Sequence, residues 1–385
     1  MRILITGAAG MIGRKLVARL LSDGKLNGKT IVELHLNDVV APPPTTLIPA
    51  PSSVIPATRL RRAASPRREA GTQLHESELE QKKRDPRLRG DDGKGGGDDG
   101  KGGEDDKRGS GGDELRVVSH TSDLSITDEA RKLVSLKPDI IFHLAGVVSG
   151  EAEANFDLGY RVNLDGTRQL FEAIRAAQIA PRVVFTSSIA VFGAPFPEVI
   201  PDDFHLTPLT SYGTQKMMGE ALLADYSRRG IFDGIGIRLP TICVRPGKPN
   251  KAASGFFSGI IREPLAGLPA ILPVPRDVVH SHASPRSAVN FLIHAASLDG
   301  AAFGPRRNLT MPGVGVSVQE QIDSLQRIAG SNAVALIEER PDAAIWAIVK
   351  NWPTRFTATR ARELGFIVER NFDEIIQAHI EDELK

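Results

Sequence analysis

Apolar positions along the chain alternate between two spacings. Residues 2–6 form a short aliphatic run, Ile3-Leu4-Ile5, of the kind that fills a buried strand. Over 11–22 the spacing changes: Ile12, Leu16, Leu20 and Leu21 recur on one face of a predicted helix. A second strand is predicted at 31–37, a third at 115–119 and a fourth at 140–144, led in by Pro138-Asp139. A long helix over 154–179 then precedes a strand at 182–187, and a helix over 211–229 precedes one at 234–239. Strand–helix alternation of this kind predicts an α/β fold, a doubly wound parallel sheet of the Rossmann type covered on both faces. After Pro240 the pattern becomes irregular and rich in Pro and Gly, as expected of a small C-terminal substrate-binding lobe.

Residues 41–113 do not share these spacings. They run from Ala41-Pro42-Pro43-Pro44 through a basic stretch (Arg59, Arg61, Arg62, Arg67, Arg68) to an imperfect DDGKGG repeat between Asp91 and Gly112. A segment with so few apolar side chains cannot offset its ordering entropy, so a disordered insertion is expected. The repeat lacks the alternating ligands of an EF-hand loop, and Arg89-Gly90-Asp91 reads as a chance tripeptide. The expected organisation is a dinucleotide-binding domain from 1–40 and 114–240, the insertion at 41–113, and a lobe over 241–385 with some segments returning to the first domain.

Charge and cysteine content narrow the class. Lys plus Arg number 48 against 47 Asp plus Glu, so no net field draws nucleic acid or an anionic membrane. The single cysteine, Cys243, excludes an internal disulfide and suits a reducing cytosol. Strand signal from residue 2 leaves no room for a signal peptide, and no apolar run approaches the roughly 20 residues of a membrane span. A cytoplasmic protein is expected.

Chemistry begins at the first strand–helix turn, Thr6-Gly7-Ala8-Ala9-Gly10-Met11-Ile12-Gly13. Gly7 allows a tight turn, Gly10 a close approach of backbone to a pyrophosphate, and Gly13 the packing of helix on strand. The following helix N-terminus favours the diphosphate through free N–H groups and its dipole. Asp38, ending the second strand, is placed to accept hydrogen bonds from adenosine ribose hydroxyls and to repel a 2′-phosphate, which favours NAD over NADP. Arg14 reads as a solvated helix residue.

Ser211-Tyr212-Gly213-Thr214-Gln215-Lys216 supplies a YxxxK pair, and helical residues four apart share a face. A neighbouring ammonium favours the phenolate of a tyrosine whose ordinary pKa is about 10, and a shift of roughly three units needs about 4 kcal/mol. Lys216 can also hold the nicotinamide ribose. The strand ending at Thr186-Ser187-Ser188, 24 residues before Tyr212, brings hydroxyls to the carboxyl edge of the sheet, where open α/β sheets bind ligands. The nine histidines form no cluster with metal-ligand spacing, and no G-x-S-x-G elbow is present.

Together with the GxxGxxG turn, these motifs resemble the extended short-chain dehydrogenase/reductase family over essentially everything outside 41–113. Asp123-Leu124 matches the family's adenine-contacting pair, and His143-Leu144-Ala145-Gly146 its fourth-strand motif, whose backbone lines the cofactor. Phe185-Thr186-Ser187-Ser188-Ile189-Ala190-Val191-Phe192-Gly193 resembles the motif that carries the catalytic serine. The resemblance implies that Ser188, with Ser187 as the adjacent alternative, hydrogen-bonds the reacting hydroxyl. It implies that Asn163 supports a water path to Lys216, that Tyr212 is the general base, and that a homodimer forms through the helices bearing Asn163 and Tyr212.

Fold and tetrad point to alcohol–carbonyl redox without naming the alcohol. Candidate substrate contacts are Ser149, after the fourth strand, and Arg276 or Arg245, either of which could hold a carboxylate bidentately. The runs Val148-Ser149-Gly150-Glu151-Ala152-Glu153, Tyr160–Thr167 and His282–Val289 are similar to a sugar-acid-oxidising branch of the family. That similarity implies oxidation of the C2 hydroxyl of a four-carbon sugar acid to its 2-oxo form by NAD. A nucleotide-sugar 4-epimerase or dehydratase, which would keep its NAD bound, and a non-catalytic dinucleotide sensor are the alternatives.

Overall fold

The structure, a computed structural model, describes residues 1–41, 115–247 and 253–384. The expected insertion at 41–113 lies outside the described residues apart from Ala41. Strand β1 (Arg2–Thr6) has its three aliphatic side chains fully buried and leads through the glycine turn into α1 (Met11–Asp23). Then come β2 (Glu33–Asp38), β3 (Arg116–Thr121), α2 (Thr127–Ser135) and β4 (Ile140–His143). Helix α3 (Gly166–Ala177), β5 (Arg182–Ser188), α4 (Ser211–Arg228) and β6 (Asp233–Leu239) complete the expected alternation.

Beyond Pro240 the chain forms β7 (Thr241–Ile242), α5 (Gly255–Leu265), β8 (Val279–Ala283) and α6 (Pro285–Ser297). These are followed by β9 (Asn308–Thr310), β10 (Val314–Ser317), α7 (Val318–Ala329) and the C-terminal α8 (Phe372–Glu383). The main sheet runs β9-β6-β5-β4-β1-β2-β3, with every pairing parallel. Its order reverses between β1 and β4, and such a switch point opens a crevice at the carboxyl ends of the strands.

Three of the four hydrophobic clusters among the described residues position the sheets and their helices. One packs α1 and α6 on one face of the sheet through Leu16, Leu20, Phe291 and Leu292; another packs α2, α3 and α4 on the other through Leu133, Phe171, Ile174 and Leu223. A third lies under the small sheet β10-β8-β7 and joins α5, α7 and α8 through Phe257, Ile261, Ile322 and Ile375. The segment after 240 also returns α6 and β9 to the main sheet.

One expected element is broken. Instead of one helix over 154–179 there are short helices Ser149–Ala154 and Phe156–Gly159, a π-helical stretch Tyr160–Asp165, and only then α3. Asn155 causes the first break: it leaves helical geometry (φ −133°, ψ 88°) and its side chain accepts a hydrogen bond from Leu158 N at 3.1 Å, capping the next turn. The π-helical stretch carries Asn163 and leaves its side chain fully buried.

Candidate active site

The glycine turn is shaped by contacts that leave no room for side chains. Gly7 adopts φ 75°, and a Cβ there would lie 2.6 Å from Ala145 N; a Cβ on Gly13 would collide with the carbonyl oxygen of Gly7. The first turn of α1 has no side-chain cap and no acidic residue. Its amide dipoles therefore face the crevice uncompensated, which suits a diphosphate. Asp38 lies beside the turn, its Oδ2 accepting from Ala9 N at 2.9 Å and its Oδ1 from Val39 N at 2.8 Å. Two carboxylate oxygens have lone pairs to spare after these bonds, enough for ribose hydroxyls.

Gly7, Gly10, Met11, Ile12, Gly13, Leu144, Gly146, Ser149, Ser188, Tyr212 and Lys216 line one cleft of about 670 Å³. Ala145 stands directly behind Gly7. Asp123 and Leu124 do not line the cleft: Asp123 accepts from Ser125 N at 2.9 Å and pairs with Arg161 at 2.6 Å, while Leu124 is buried in the cluster under α2 and α3.

Tyr212 and Lys216 sit one turn apart at the start of α4, whose N-terminus is fixed by Thr210 Oγ1 accepting from Gly213 N at 3.1 Å. The Lys216 ammonium donates to Thr186 O at 2.9 Å and lies 5.9 Å from the centre of the Tyr212 ring. Ser188 Oγ accepts from Ala190 N at 3.1 Å, which leaves its hydroxyl hydrogen to donate to the Tyr212 phenol. Burial pushes the phenol above its ordinary pKa, opposed by the Ser188 hydrogen bond and the charge on Arg245. Burial also pulls Lys216 down, to about 8. The protein alone thus holds a neutral phenol beside a weakened ammonium, short of the lowered phenol pKa that the motif suggests.

Lys216 titration gives a test that needs no substrate. Its pKa is lower in the folded protein than in the unfolded chain, whose lysines titrate near 10.5. Between these values the unfolded chain binds more protons, so stability rises with pH and is lost again as pH falls towards 8. Lys216→Met should melt several degrees above wild type at pH 7, with the gap closing by about pH 10.5. Thermal melts of both proteins across that range check it; a gap independent of pH would remove the buried ammonium from the explanation.

Asn163 does not face the cleft. Its Oδ1 accepts from Val147 N at 2.9 Å, and its Nδ2 donates to Gln215 Oε1 at 2.8 Å and to Val147 O at 3.3 Å. The amide ties the loop after β4 to the residue before Lys216. Behind it, the Thr167 hydroxyl donates to Asn163 O at 2.8 Å and accepts from His143 Nε2 at 2.9 Å, so His143 Nδ1 accepts from Thr6 Oγ1 at 2.7 Å. Burial lowers the His143 pKa to about 3 and keeps this chain of hydrogen bonds neutral. It runs from the glycine turn to the helix of the YxxxK pair.

The structure does not bring the expected Arg276 to the cleft. Arg276 lies on the outside of the lobe, where its guanidinium donates to Glu339 Oε1 at 2.8 Å and Gln319 Oε1 at 3.0 Å. Arg245 takes its place at the cleft, bonded to Ile242 O at 3.1 Å and with no carboxylate partner among the described residues. Thr241, Arg262, His280 and Trp352 also line the cleft, although nothing in their local sequence marks them. Among the described residues no group of three or more His, Cys, Asp or Glu side chains is placed to hold a metal, and no helix is long and apolar enough to cross a membrane.

The sequence model of the NAD dependent epimerase/dehydratase family matches residues 101–282. A D-erythronate dehydrogenase from Cupriavidus necator is 48% identical over 272 residues, 71% of this chain and 84% of that protein. The chain belongs to the NAD-dependent epimerase/dehydratase family. A second D-erythronate dehydrogenase, from Haemophilus influenzae, is 42% identical over 69% of this chain and 84% of its own length. A crystal structure described as a nucleoside-diphosphate-sugar epimerase from Agrobacterium tumefaciens is 52% identical, with a TM-score of 0.80 over 100% of this chain and 94% of that one. The protein is an NAD-dependent oxidoreductase on a Rossmann-type fold.

Proposed function

We propose that the protein oxidises the C2 hydroxyl of a small sugar acid, D-erythronate, to the 2-oxo acid, with Tyr212 as the general base. The observation that carries this reading is the meeting of a phenol, a serine hydroxyl and a carboxylate-free guanidinium in one cleft: Tyr212, Ser188 and Arg245. A hydroxy acid needs these groups, a proton acceptor and a donor at the reacting oxygen and a cation for its carboxylate. The naming of two relatives that the chain matches over 84% of their length supports the same substrate.

Each residue has a separate task in this scheme. Arg245 holds the carboxylate, Ser188 hydrogen-bonds the reacting oxygen, and Tyr212 accepts the hydroxyl proton. Lys216, held by Thr186 O, favours the phenolate by its charge and is positioned to hold the nicotinamide ribose. Gly7, Gly10, Met11, Ile12 and Gly13 would carry the diphosphate, Asp38 the adenosine ribose, and Asp123-Leu124 the adenine end. NAD supplies the hydride acceptor. A homodimer through the Asn163 and Tyr212 helices belongs to the same reading.

The epimerase description of the 52%-identical structure favours a second reading, nucleotide-sugar 4-epimerisation. Net formation separates the two. Incubation with NAD and D-erythronate should produce NADH absorbance stoichiometric with the oxo acid, and a UDP-hexose should produce none. Interconversion of UDP-sugars, with no NADH from any four-carbon hydroxy acid, would replace the proposal by the epimerase.

A further inference from the structure

Two residues of the lobe, far apart in sequence, make a polar contact at the cleft that the redox chemistry does not use. Thr241 opens β7, two residues after β6 ends, and His280 lies on β8. Both line the cleft. Their side chains meet with Thr241 Oγ1 2.7 Å from His280 Nε2. The other ring nitrogen, Nδ1, lies 2.9 Å from Pro353 O.

The direction of these hydrogen bonds follows from what each partner can do. A proline carbonyl only accepts, so His280 Nδ1 carries the hydrogen. Burial keeps the ring neutral, with its pKa lowered to about 4, so Nε2 carries a lone pair. The Thr241 hydroxyl must therefore donate to Nε2. The ring cannot turn to reverse this order, because it stacks on Phe257 with an interplanar angle of 7° and packs beside Trp352. Thr241 Oγ1 has no other hydrogen-bond partner among the described residues, so the oxygen is left with its lone pairs alone. With its hydrogen given to His280, the hydroxyl can only accept from a further partner.

We propose that Thr241, oriented by His280, accepts a hydrogen bond from a substrate hydroxyl beyond the reacting carbon and so selects polyhydroxy acids over deoxy acids. An ammonium group would suit a lone acceptor as well, but the charges of the cleft exclude it. Its ionic lining is Lys216, Arg245 and Arg262 against Glu153, and the Glu153 carboxylate is engaged by Ser211 N at 3.0 Å. A positive cleft takes an anion whose remaining groups are neutral donors. Thr241 is thus a specificity residue and His280 a positioning residue, and both rest on the sugar-acid reading above.

The experiment compares D-erythronate with 2-hydroxybutanoate, which has the same carbon chain and lacks the 3- and 4-hydroxyls. The first is followed by kcat/KM and the second by its inhibition constant against the first, so that it need not turn over. Thr241→Val keeps the shape and removes the acceptor. It should lower kcat/KM for D-erythronate about tenfold or more, leave the inhibition constant of the deoxy acid within about twofold, and be rescued by Thr241→Ser. His280→Phe should show the same selective loss and His280→Gln, which keeps a donor and an acceptor, a smaller one. An equal loss for both acids, or none for D-erythronate, overturns the inference and leaves the sugar-acid reading standing. Wild-type enzyme that forms no NADH from D-erythronate overturns both.

Discussion

Tyr212→Phe is expected to lower kcat by about 10²–10⁴-fold while NAD binding and thermal stability stay near wild type. The substitution removes one oxygen and leaves the ring where it packs. His280 cannot take over the proton. Both nitrogens of His280 are engaged, and its ring is neutral. Lys216 Nζ is engaged with Thr186 O, and Glu153 accepts from Ser211 N. Steady-state turnover of D-erythronate alongside NAD titration by fluorescence checks the prediction. A Tyr212→Phe enzyme that turns over at the wild-type rate would take the base away from Tyr212.

The second large effect lies in the pair that joins α4 to β6. Arg238 of β6 donates to Glu220 Oε1 at 2.9 Å and Oε2 at 2.8 Å, with both side chains almost fully buried. Ser187 Oγ donates to the same Glu220 carboxylate at 2.5 Å. Arg238→Met should therefore leave a buried carboxylate without its counter-charge and cost about 3–5 kcal/mol of stability. Against a typical total of 5–15 kcal/mol, that is a large part of what holds the chain folded. Replacing both partners, Arg238→Met with Glu220→Leu, should recover most of the loss, because the desolvation cost disappears with the pair. Denaturant unfolding of the single and double variants measures it. A single variant within 1 kcal/mol of wild type would show that the carboxylate is solvated or protonated in the folded state.

How much of this was readable from sequence depended on the range of the interaction. The strands at 2–6, 140–144 and 182–187 and the helix at 211–229 are set by local apolar spacing, and they appear within a residue or two of their expected bounds. The glycine turn was legible because its three glycines fall within seven residues, although the backbone that crowds Gly7 comes from Ala145. The helix over 154–179 was not, since a π-helical stretch keeps the composition and roughly the periodicity of an α-helix. Asn155 was the available signal, a residue type that favours caps. Choosing between Arg276 and Arg245 required knowing which lay near Glu339, and choosing Thr241 required His280, 39 positions away. The lowered pKa of Lys216 depends on burial, which the YxxxK spacing does not specify.

The small sheet β10-β8-β7 rests mainly on the cluster it shares with α5, α7 and α8, while Ile242 of β7 and Ala283 of β8 pack with α1 and α6. A substitution that unsettles one cluster need not loosen the packing that aims Tyr212. Mutations confined to the cluster of α5, α7 and α8 can therefore accumulate, and be tried in the laboratory, at little risk to the placement of Tyr212. Descendants of such a chain could change what the cleft accepts by drift in the lobe, with α4 and its Tyr212–Lys216 pair inherited whole.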